Sequence, residues 1–133
     1  MDIYYDPIYT NGIDDRSRFP KERYQLIYDE IENSNYKKYI DFIQPQKAKI
    51  NDILLAHDSG YVRKFFDNKL NIKEKRRIGL LPWNSNIFER TLKIMGGSIG
   101  ALRSSINSSI SANMAGGTHH AFYNYGAGYC IFN

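Results

Sequence analysis

The sequence has few of the residues that crosslink a chain or embed it in a membrane. Its 133 residues include one cysteine, Cys130, so no disulfide can form within the chain. No apolar run approaches the roughly 18 residues of a membrane-spanning helix, and the first residues lack the basic and apolar segments of a signal peptide. We therefore expect no membrane partner and, by default, a cytoplasmic location.

A strong excess of one charge is also missing. Lys and Arg number 18 against 14 Asp and Glu, for a net charge of +4, and 42% of the residues are hydrophobic. This balance predicts one soluble globular unit over residues 1–133. The densest basic run, Lys73 to Arg77, is typical of a solvated helix face. Nucleic-acid binding is the weaker interpretation, and we expect no nucleic-acid partner.

Apolar patterns predict three short strands. Ile3 to Tyr5 begins a sheet, Tyr39 to Ile43 supplies a second strand, and the small and apolar residues from Ser109 to Ala115 fit a buried strand. The segment from Asp6 to Ser17 is rich in turn-forming residues, which predicts a polar loop.

Proline and apolar spacing predict two helices in the first half of the chain. Pro20 suits a first helical turn, and the helix it opens runs to Glu32 with an apolar stripe of Tyr24, Ile27, Tyr28 and Ile31. Pro45 opens a second helical stretch, whose apolar face holds Ile50, Ile53 and Leu54.

The later helices carry clearer start and stop signals. Asp58 is placed to cap a helix through Phe66, and Gly79 is placed to end one over Ile72–Ile78. Ser85 is placed to cap the longest helix, 86–106, whose predicted buried stripe is Phe88, Leu92, Met95, Ile99, Leu102 and Ile106. Gly96 and Gly97 inside that helix cost about 1 kcal/mol each relative to alanine, which indicates close approach of a neighbouring backbone.

Two adjacent histidines, His119 and His120, form the strongest candidate site. Histidine exchanges protons near neutral pH, and the pair follows a predicted strand, where open α/β sheets place ligands. Neighbouring side chains on a strand point to opposite faces, so only a loop lets both converge. From the residues alone, the pair is either a catalytic or ligand site, or a pair of structural histidines in a loop.

The surrounding residues form a recognisable motif. Gly116-Gly117-Thr118-His119-His120-Ala121, followed by Gly126-Ala127-Gly128-Tyr129-Cys130-Ile131-Phe132-Asn133, closely resembles the active-site segment of the histone deacetylase family, above all its class IV and bacterial members. Three earlier segments also resemble the family: Arg18 to Tyr24, Leu54 to Val62, and Arg77 to Trp83. The resemblance therefore covers nearly the whole chain.

The resemblance implies a fold and a set of roles. The fold would be α/β, the N-terminal part of the three-layer α/β/α arginase–deacetylase fold with a mostly parallel sheet, here truncated. His119 and His120 would be the catalytic pair beside a zinc ion, positioning and activating the water that attacks an acyl-lysine amide. Gly128 and Tyr129 would line the channel for the acyl-lysine stem, with Tyr129 where the family usually has Phe.

The family's zinc ligands have no counterpart in this sequence. They are an Asp-x-His pair and a further Asp, which the family carries downstream of the residues matched by Phe132 and Asn133. This chain has no Asp-x-His and no aspartate after Asp67. No residue is therefore assigned as a metal ligand. A substitute set using Cys130 and His57 is not expected, because its spacing fits none of the usual zinc patterns. His57 is interpreted instead as a structural, hydrogen-bonded residue.

Two functions follow from these observations. The chain is either the N-terminal fragment of a zinc-dependent acyl-lysine deacetylase, inactive alone and completed by a second, C-terminal chain, or a non-catalytic remnant or interaction module. In both cases the Ser109–Ala115 strand and the stripe of the long helix would be left exposed. We therefore expect poor solubility or dependence on a partner.

Overall fold

The computed structural model describes residues 1–116 and 119–133, and its centre is a parallel sheet of three strands. These are β1 (Asp2–Tyr4), β2 (Asp41–Ile43) and β3 (Ser111–Asn113), in the spatial order β2-β1-β3. Ile3 lies opposite Phe42 on one side and Ala112 on the other. Parallel neighbours need long crossover connections, which the helices between the strands provide. The prediction of three strands is confirmed.

The third strand is shorter and less buried than predicted. β3 has three residues rather than seven, all of them half-buried. In the described part of the chain it pairs only with β1, so it forms an edge of the sheet. A strand with one neighbour keeps its other edge accessible, which explains the incomplete burial.

The described residues also form six α-helices and one short 3₁₀ helix. Their bounds are α1 Ile8–Asn11, α2 Arg23–Glu32, α3 Ile50–Leu54, α4 Ser59–Phe66, α5 Ile72–Ile78 and α6 Asn86–Ser108, with the 3₁₀ helix at Lys37–Tyr39. The segment predicted as a polar loop therefore contains α1. Asp6 favours this turn because its Oδ1 accepts a hydrogen bond from the Ile8 amide at 2.9 Å.

The two early helices start later than predicted and bury narrower faces. α2 begins at Arg23, and Ile27, placed in its apolar stripe, is 47% exposed. The helix packs instead through Tyr24 and Tyr28, with the Tyr28 ring 4.6 Å from the Phe42 ring. α3 begins at Ile50 rather than near Pro45 and buries Ile53, whereas Ile50 and Leu54 are exposed. One-sided packing of a short helix covers only one or two side chains.

The predicted helix signals at Asp58 and Gly79 are confirmed. The Asp58 carboxylate accepts a hydrogen bond from the Tyr61 amide at 2.9 Å and caps α4. Asn71 and Glu74 form a reciprocal capping box at the start of α5. Gly79 ends α5 in the left-handed region, with φ of 89°, where glycine meets no steric penalty.

The bounds of the long helix α6 agree with the prediction to within two residues, but the predicted capping hydrogen bond of Ser85 is not formed with the described residues. The predicted close approach of a neighbouring backbone is confirmed at Gly96, whereas Gly97 approaches side chains. A Cβ on Gly96 would lie 1.7 Å from the Gln46 carbonyl oxygen, and one on Gly97 would lie 2.6 Å from the Tyr9 hydroxyl. Close approach of neighbouring atoms therefore requires glycine at both positions.

The predicted stripe of α6 is buried only along its first part. Met95 is buried, but Leu102 is 67% exposed and Ile106 is 77% exposed. α6 packs instead through a neighbouring face, whose buried residues include Ile87, Ile94, Gly97 and Ala101. The sheet contacts the C-terminal half of the helix as well, since the Tyr4 hydroxyl of β1 hydrogen-bonds Ser104 at 3.0 Å. Leu102 and Ile106 are therefore exposed because they lie outside the face on which the helix packs.

The core lies between the sheet, α6 and the chain end. Its largest fully buried side chains include Tyr9, Phe65, Ile78, Leu80, Ile87 and Phe132. Of the helices in residues 1–116 and 119–133, none is long and apolar enough to cross a bilayer.

Candidate functional site

The two histidines lie in the loop that follows the carboxyl end of β3. Gly116, the last described residue before the pair, donates its amide to the Asn113 carbonyl at 3.0 Å and turns the chain out of the strand. The rings of His119 and His120 then lie side by side, with centroids 4.1 Å apart and planes tilted by 44°. Both residues are exposed. The loop thus brings together two imidazoles that a strand would direct to opposite faces. Gly117 and Thr118 of the motif lie outside the described residues.

A tight turn at Gly128 and Tyr129 forms the surface next to His120. Both residues have left-handed backbones, with φ of 52° and 69°. A Cβ on Gly128 would lie 2.9 Å from Cγ of His120, so glycine permits the close contact between turn and imidazole. The Tyr129 amide donates to the Ile78 carbonyl at 2.6 Å, which attaches the turn to the end of α5.

The Tyr129 ring stands between two other features of the site. It meets the Phe19 ring edge-on at a centroid distance of 5.0 Å. On its other side it packs over Gly79, where an added Cβ would lie 3.1 Å from the ring. The side chain remains 42% exposed. Tyr129 is therefore fixed as a wall with one accessible face.

All four residues predicted for the site, His119, His120, Gly128 and Tyr129, line one cleft of about 250 Å³. The lining also includes residues that the sequence did not lead us to assign to a site, among them Phe19, Pro20, Arg23, Tyr24 and Arg90. Residues 19–23 belong to the segment from Arg18 to Tyr24, which resembles the family. From the sequence alone, this segment is interpreted as part of a helix that packs on the core. His119 also borders a second cavity, of about 370 Å³, together with Asp52, Met95 and Asn133.

Arg90 places a buried positive charge behind this cleft. Only 4% of the residue is exposed, and its Nε donates to the Tyr9 carbonyl at 3.0 Å. Its guanidinium lies 5.5 Å from the Phe19 ring centroid, and no carboxylate among the described residues forms an ion pair with it. Burial lowers the pKa of Arg90 to about 10, so it stays protonated at neutral pH. The only sequence signal was a charged residue within an otherwise apolar helix face.

His57 is structural, as predicted. It is 3% exposed. Its Nδ1–H donates to the Phe122 carbonyl at 3.0 Å, and its Nε2 accepts from the Asn133 amide at 2.8 Å. Both ring nitrogens are therefore engaged with backbone groups, and neither is available to a metal.

The described residues do not make up a zinc site. A catalytic zinc takes three protein ligands and a water, and within residues 1–116 and 119–133 no three His, Cys, Asp or Glu side chains come together to hold a metal. Cys130 is buried and directs its Sγ toward the Gly128 carbonyl at 3.6 Å. The site therefore consists of an imidazole pair, a turn and an aromatic wall.

Comparison with known proteins agrees with the family resemblance of the motif. The sequence model of the histone deacetylase domain matches residues 17–133. An uncharacterized protein of Picosynechococcus is 34% identical over 131 residues, which cover 98% of this chain and 43% of the relative. Histone deacetylase clr6 of Schizosaccharomyces pombe is 28% identical, covering 84% and 30%, and acetoin utilization protein AcuC of Bacillus subtilis is 27% identical, covering 97% and 36%.

The chain thus spans less than half the length of these relatives. Its parallel sheet with flanking helices is the corresponding part of the α/β arginase–deacetylase fold. The match of the family's domain over most of the chain, including the histidine pair and the turn beside it, shows that the chain belongs to the histone deacetylase family.

Proposed function

We propose that this chain supplies the N-terminal part of a zinc-dependent acyl-lysine deacetylase site and is inactive alone. His119 and His120 position and activate the attacking water, and Gly128 and Tyr129 line the channel for the acyl-lysine stem. One observation carries the proposal. The two imidazoles, 4.1 Å apart, share a single cleft with the Gly128–Tyr129 turn.

The imidazole pair fits the proton transfers of amide hydrolysis. One ring accepts a proton from the attacking water while the other donates one to the departing amine, since an imidazole can act as a base or as an acid. General acid–base catalysis of this kind accelerates a reaction by roughly 10²–10⁴. A zinc ion adds Lewis-acid activation of the water and the carbonyl in the family. Because the described residues lack a three-ligand set, the pair alone is expected to be too slow.

The aromatic wall fits an acyl-lysine stem. Phe19 and Tyr129 present ring surfaces at 5.0 Å from each other, and a lysine side chain offers four methylene groups. Burial of each methylene stabilises binding by about 0.8 kcal/mol, so the wall contributes roughly 3 kcal/mol in total. Binding of an acyl-lysine peptide by this chain alone is therefore expected to be weak but measurable.

The test combines zinc content with reconstitution. We would measure zinc per chain by elemental analysis and hydrolysis of a fluorogenic acetyl-lysine peptide by the 133-residue protein. The assay is then repeated with the part of the Picosynechococcus relative that lies beyond its match to this chain. We expect no bound zinc and no hydrolysis by the chain alone. Hydrolysis should appear in the mixture and be lost with His119→Ala or His120→Ala, but not with the exposed control Lys69→Ala.

Two outcomes would contradict the proposal. One zinc held by each chain, with hydrolysis in the absence of any partner, would make the protein an enzyme by itself. A stable complex that hydrolyses nothing would favour the alternative, an interaction module without catalysis. The exposed side chains Leu102, Ile106 and Ile110, at 67%, 77% and 62% exposure, favour that alternative because they offer an apolar docking surface. A cytoplasmic location stays a prediction, to be checked by cell fractionation.

A further inference from the structure

One face of α5 carries three cations beside the channel wall. Lys73, Arg76 and Arg77 have the spacing i, i+3 and i+4, so they share a side of the helix, and all three are exposed. The helix has one carboxylate, Glu74, which is already bound by Lys64 at 2.7 Å and by the Asn71 amide at 2.7 Å. No carboxylate of the described residues lies within ion-pair distance of these three cations.

Arg77 attaches this cationic face to the wall of the cleft. Its Nε donates to the Gly126 carbonyl at 3.1 Å, and its own carbonyl accepts from the Gly128 amide at 3.2 Å. Its guanidinium lies 4.1 Å from the Tyr125 ring centroid. Tyr125 in turn stacks on Phe122 at 4.5 Å and 20°, and Phe122 is 54% exposed. A fixed guanidinium therefore lies on an aromatic platform next to the wall residue Gly128.

Lys75, the fourth cation of the segment from Lys73 to Arg77, makes other contacts. Lys75 donates to the Asn68 side chain at 3.0 Å and lies 5.3 Å from the Trp83 ring centroid, so it serves local packing. An ordinary solvated helix face would leave every cation mobile. Here stacking on Tyr125 and the Nε–H hydrogen bond to Gly126 hold the Arg77 side chain in place, which reduces the entropy lost when it binds an anion.

We propose that the platform, defined as Lys73, Arg76, Arg77, Tyr125 and Phe122, selects acyl-lysine peptides that carry an acidic residue close to the acyl-lysine. This inference rests on the proposed function, because it needs the stem to enter beside Tyr129. An extended peptide advances about 3.3 Å per residue, so carboxylates one to three positions from the lysine are within about 10 Å of the wall. Arg77 offers the guanidinium fork that matches a carboxylate, and Phe122 offers an apolar surface to the peptide.

A peptide fits this surface better than a nucleic acid does. The cations form one short cluster rather than a stripe along which a phosphate backbone could run. Through Arg77 the cluster is hydrogen-bonded to Gly126 and to the wall residue Gly128, which places it next to the cleft that the acyl-lysine of a peptide would enter. Charge complementarity then favours Asp or Glu in the peptide.

The test uses four fluorescent peptides of one length, carrying acetyl-lysine or lysine, each flanked by Glu or by Gln. Affinity for the 133-residue protein is measured by fluorescence anisotropy at low and at physiological ionic strength. Among the acetylated peptides, we expect the Glu version to bind roughly three- to tenfold more tightly. The difference should shrink with added salt, because the charges are exposed.

Variants test whether the platform is responsible for the preference for the Glu peptide. Lys73→Gln with Arg76→Gln removes two cations that make no wall contact, and it should reduce the preference for Glu to less than about twofold. Arg77→Lys keeps the charge but loses the fork, and an intermediate preference is expected. The control is Lys49→Gln with Arg103→Gln, which removes the same charge from residues lining a different cavity. It should leave the preference unchanged.

The outcomes separate this inference from the proposed function. A preference for Glu that survives Lys73→Gln with Arg76→Gln, or that falls equally in the control, would overturn the platform. A single-stranded oligonucleotide that binds more tightly than the Glu peptide and displaces it would overturn it in favour of nucleic acid. Equal binding of acetylated and unmodified peptides would contradict the proposed function instead. No binding of any peptide at about 5 mM would overturn both.

Discussion

The imidazole of His57 joins three segments of the chain. It lies between α3 and α4, and it hydrogen-bonds the Phe122 carbonyl at 3.0 Å and the Asn133 amide at 2.8 Å. These contacts hold the loop after His119 and His120 and the residues that follow the turn at Gly128. The residue thus supports the site without belonging to its surface.

Replacement of His57 by Ala should lower the free energy of unfolding by about 3 kcal/mol, because the buried imidazole is lost and the Phe122 carbonyl and Asn133 amide lose their partner. Urea unfolding followed by circular dichroism measures the change. His120→Ala, at an exposed position, is the control and should change stability by less than about 0.5 kcal/mol. Equal losses in both variants would contradict a structural role specific to His57.

The Asp6 carboxylate is a second residue whose contacts make a quantitative prediction. Burial raises its pKa, but hydrogen bonds from the Ile8 amide, Gln44 and Lys93 outweigh burial and hold the pKa below the ordinary value of 3.8. A pKa lowered by folding means that the unfolded state binds protons first as the pH falls. The stabilisation is therefore complete above about pH 5 and is lost as the pH falls through 3.8 and then through the native pKa.

Asp6→Asn removes the charge and should cost about 2 kcal/mol at neutral pH. Urea unfolding of both proteins at a series of pH values gives the difference between them. We expect the difference to narrow steadily below about pH 5, since the wild-type carboxyl then becomes protonated too. A difference that stays constant down to pH 2 would show that the charge of Asp6 contributes nothing.

At the scale of elements, α6 depends on contacts with a segment that has no regular structure. The Ala48 amide donates to the Leu92 carbonyl at 3.0 Å, and the Gln46 carbonyl approaches Gly96. The chain after β2 therefore lies directly on the helix backbone. This arrangement fixes both the path of residues 44–49 and the position of the helix that carries Arg90.

Gly96→Ala should destabilise the protein by about 3 kcal/mol, although alanine favours a helix by about 1 kcal/mol. The added Cβ would lie 1.7 Å from the Gln46 oxygen, so the backbone must move. Thermal or urea unfolding measures the loss. Asn107→Ala on the exposed end of the same helix is the matched control, with no loss expected. A stabilised Gly96→Ala protein would show that helix propensity outweighs the clash.

At the scale of the whole molecule, an apolar surface lies at one end of α6. Leu102, Ile106 and Ile110 are 67%, 77% and 62% exposed, and the neighbouring strand β3 lies at the sheet edge. Exposed apolar side chains beside an unpaired strand edge promote association of chains.

We therefore expect concentration-dependent self-association, measured by sedimentation velocity. Burial of each of these side chains is worth roughly 2 kcal/mol, so Leu102→Lys with Ile106→Lys should weaken association by at least about tenfold. Leu55→Lys is the control because Leu55 is 89% exposed and lies just after α3, outside this surface. Association that is unchanged by the double substitution, or reduced as much by Leu55→Lys, would contradict a role for this surface.

The sequence by itself determined the features that depend on neighbouring residues. The cap at Asp58, the stop at Gly79 and the glycine requirement at Gly96 were all predicted, because each follows from local backbone geometry or from a residue's intrinsic cost in a helix. The motif around His119 and Gly128 could also be recognised from the sequence alone, since the residues that define it lie close together in the chain. The part they play in hydrolysis stays a prediction.

The tertiary structure alone decided which faces are covered and which distant residues meet. It left Ile27 and Ile106 exposed, because periodicity shows that a helix has an apolar face but not how much of that face its neighbours cover. It also brought Phe19 and Arg90 to the wall that Tyr129 forms. No local sequence pattern predicts such long-range contacts, because they depend on how helices and strands far apart in the sequence pack against one another.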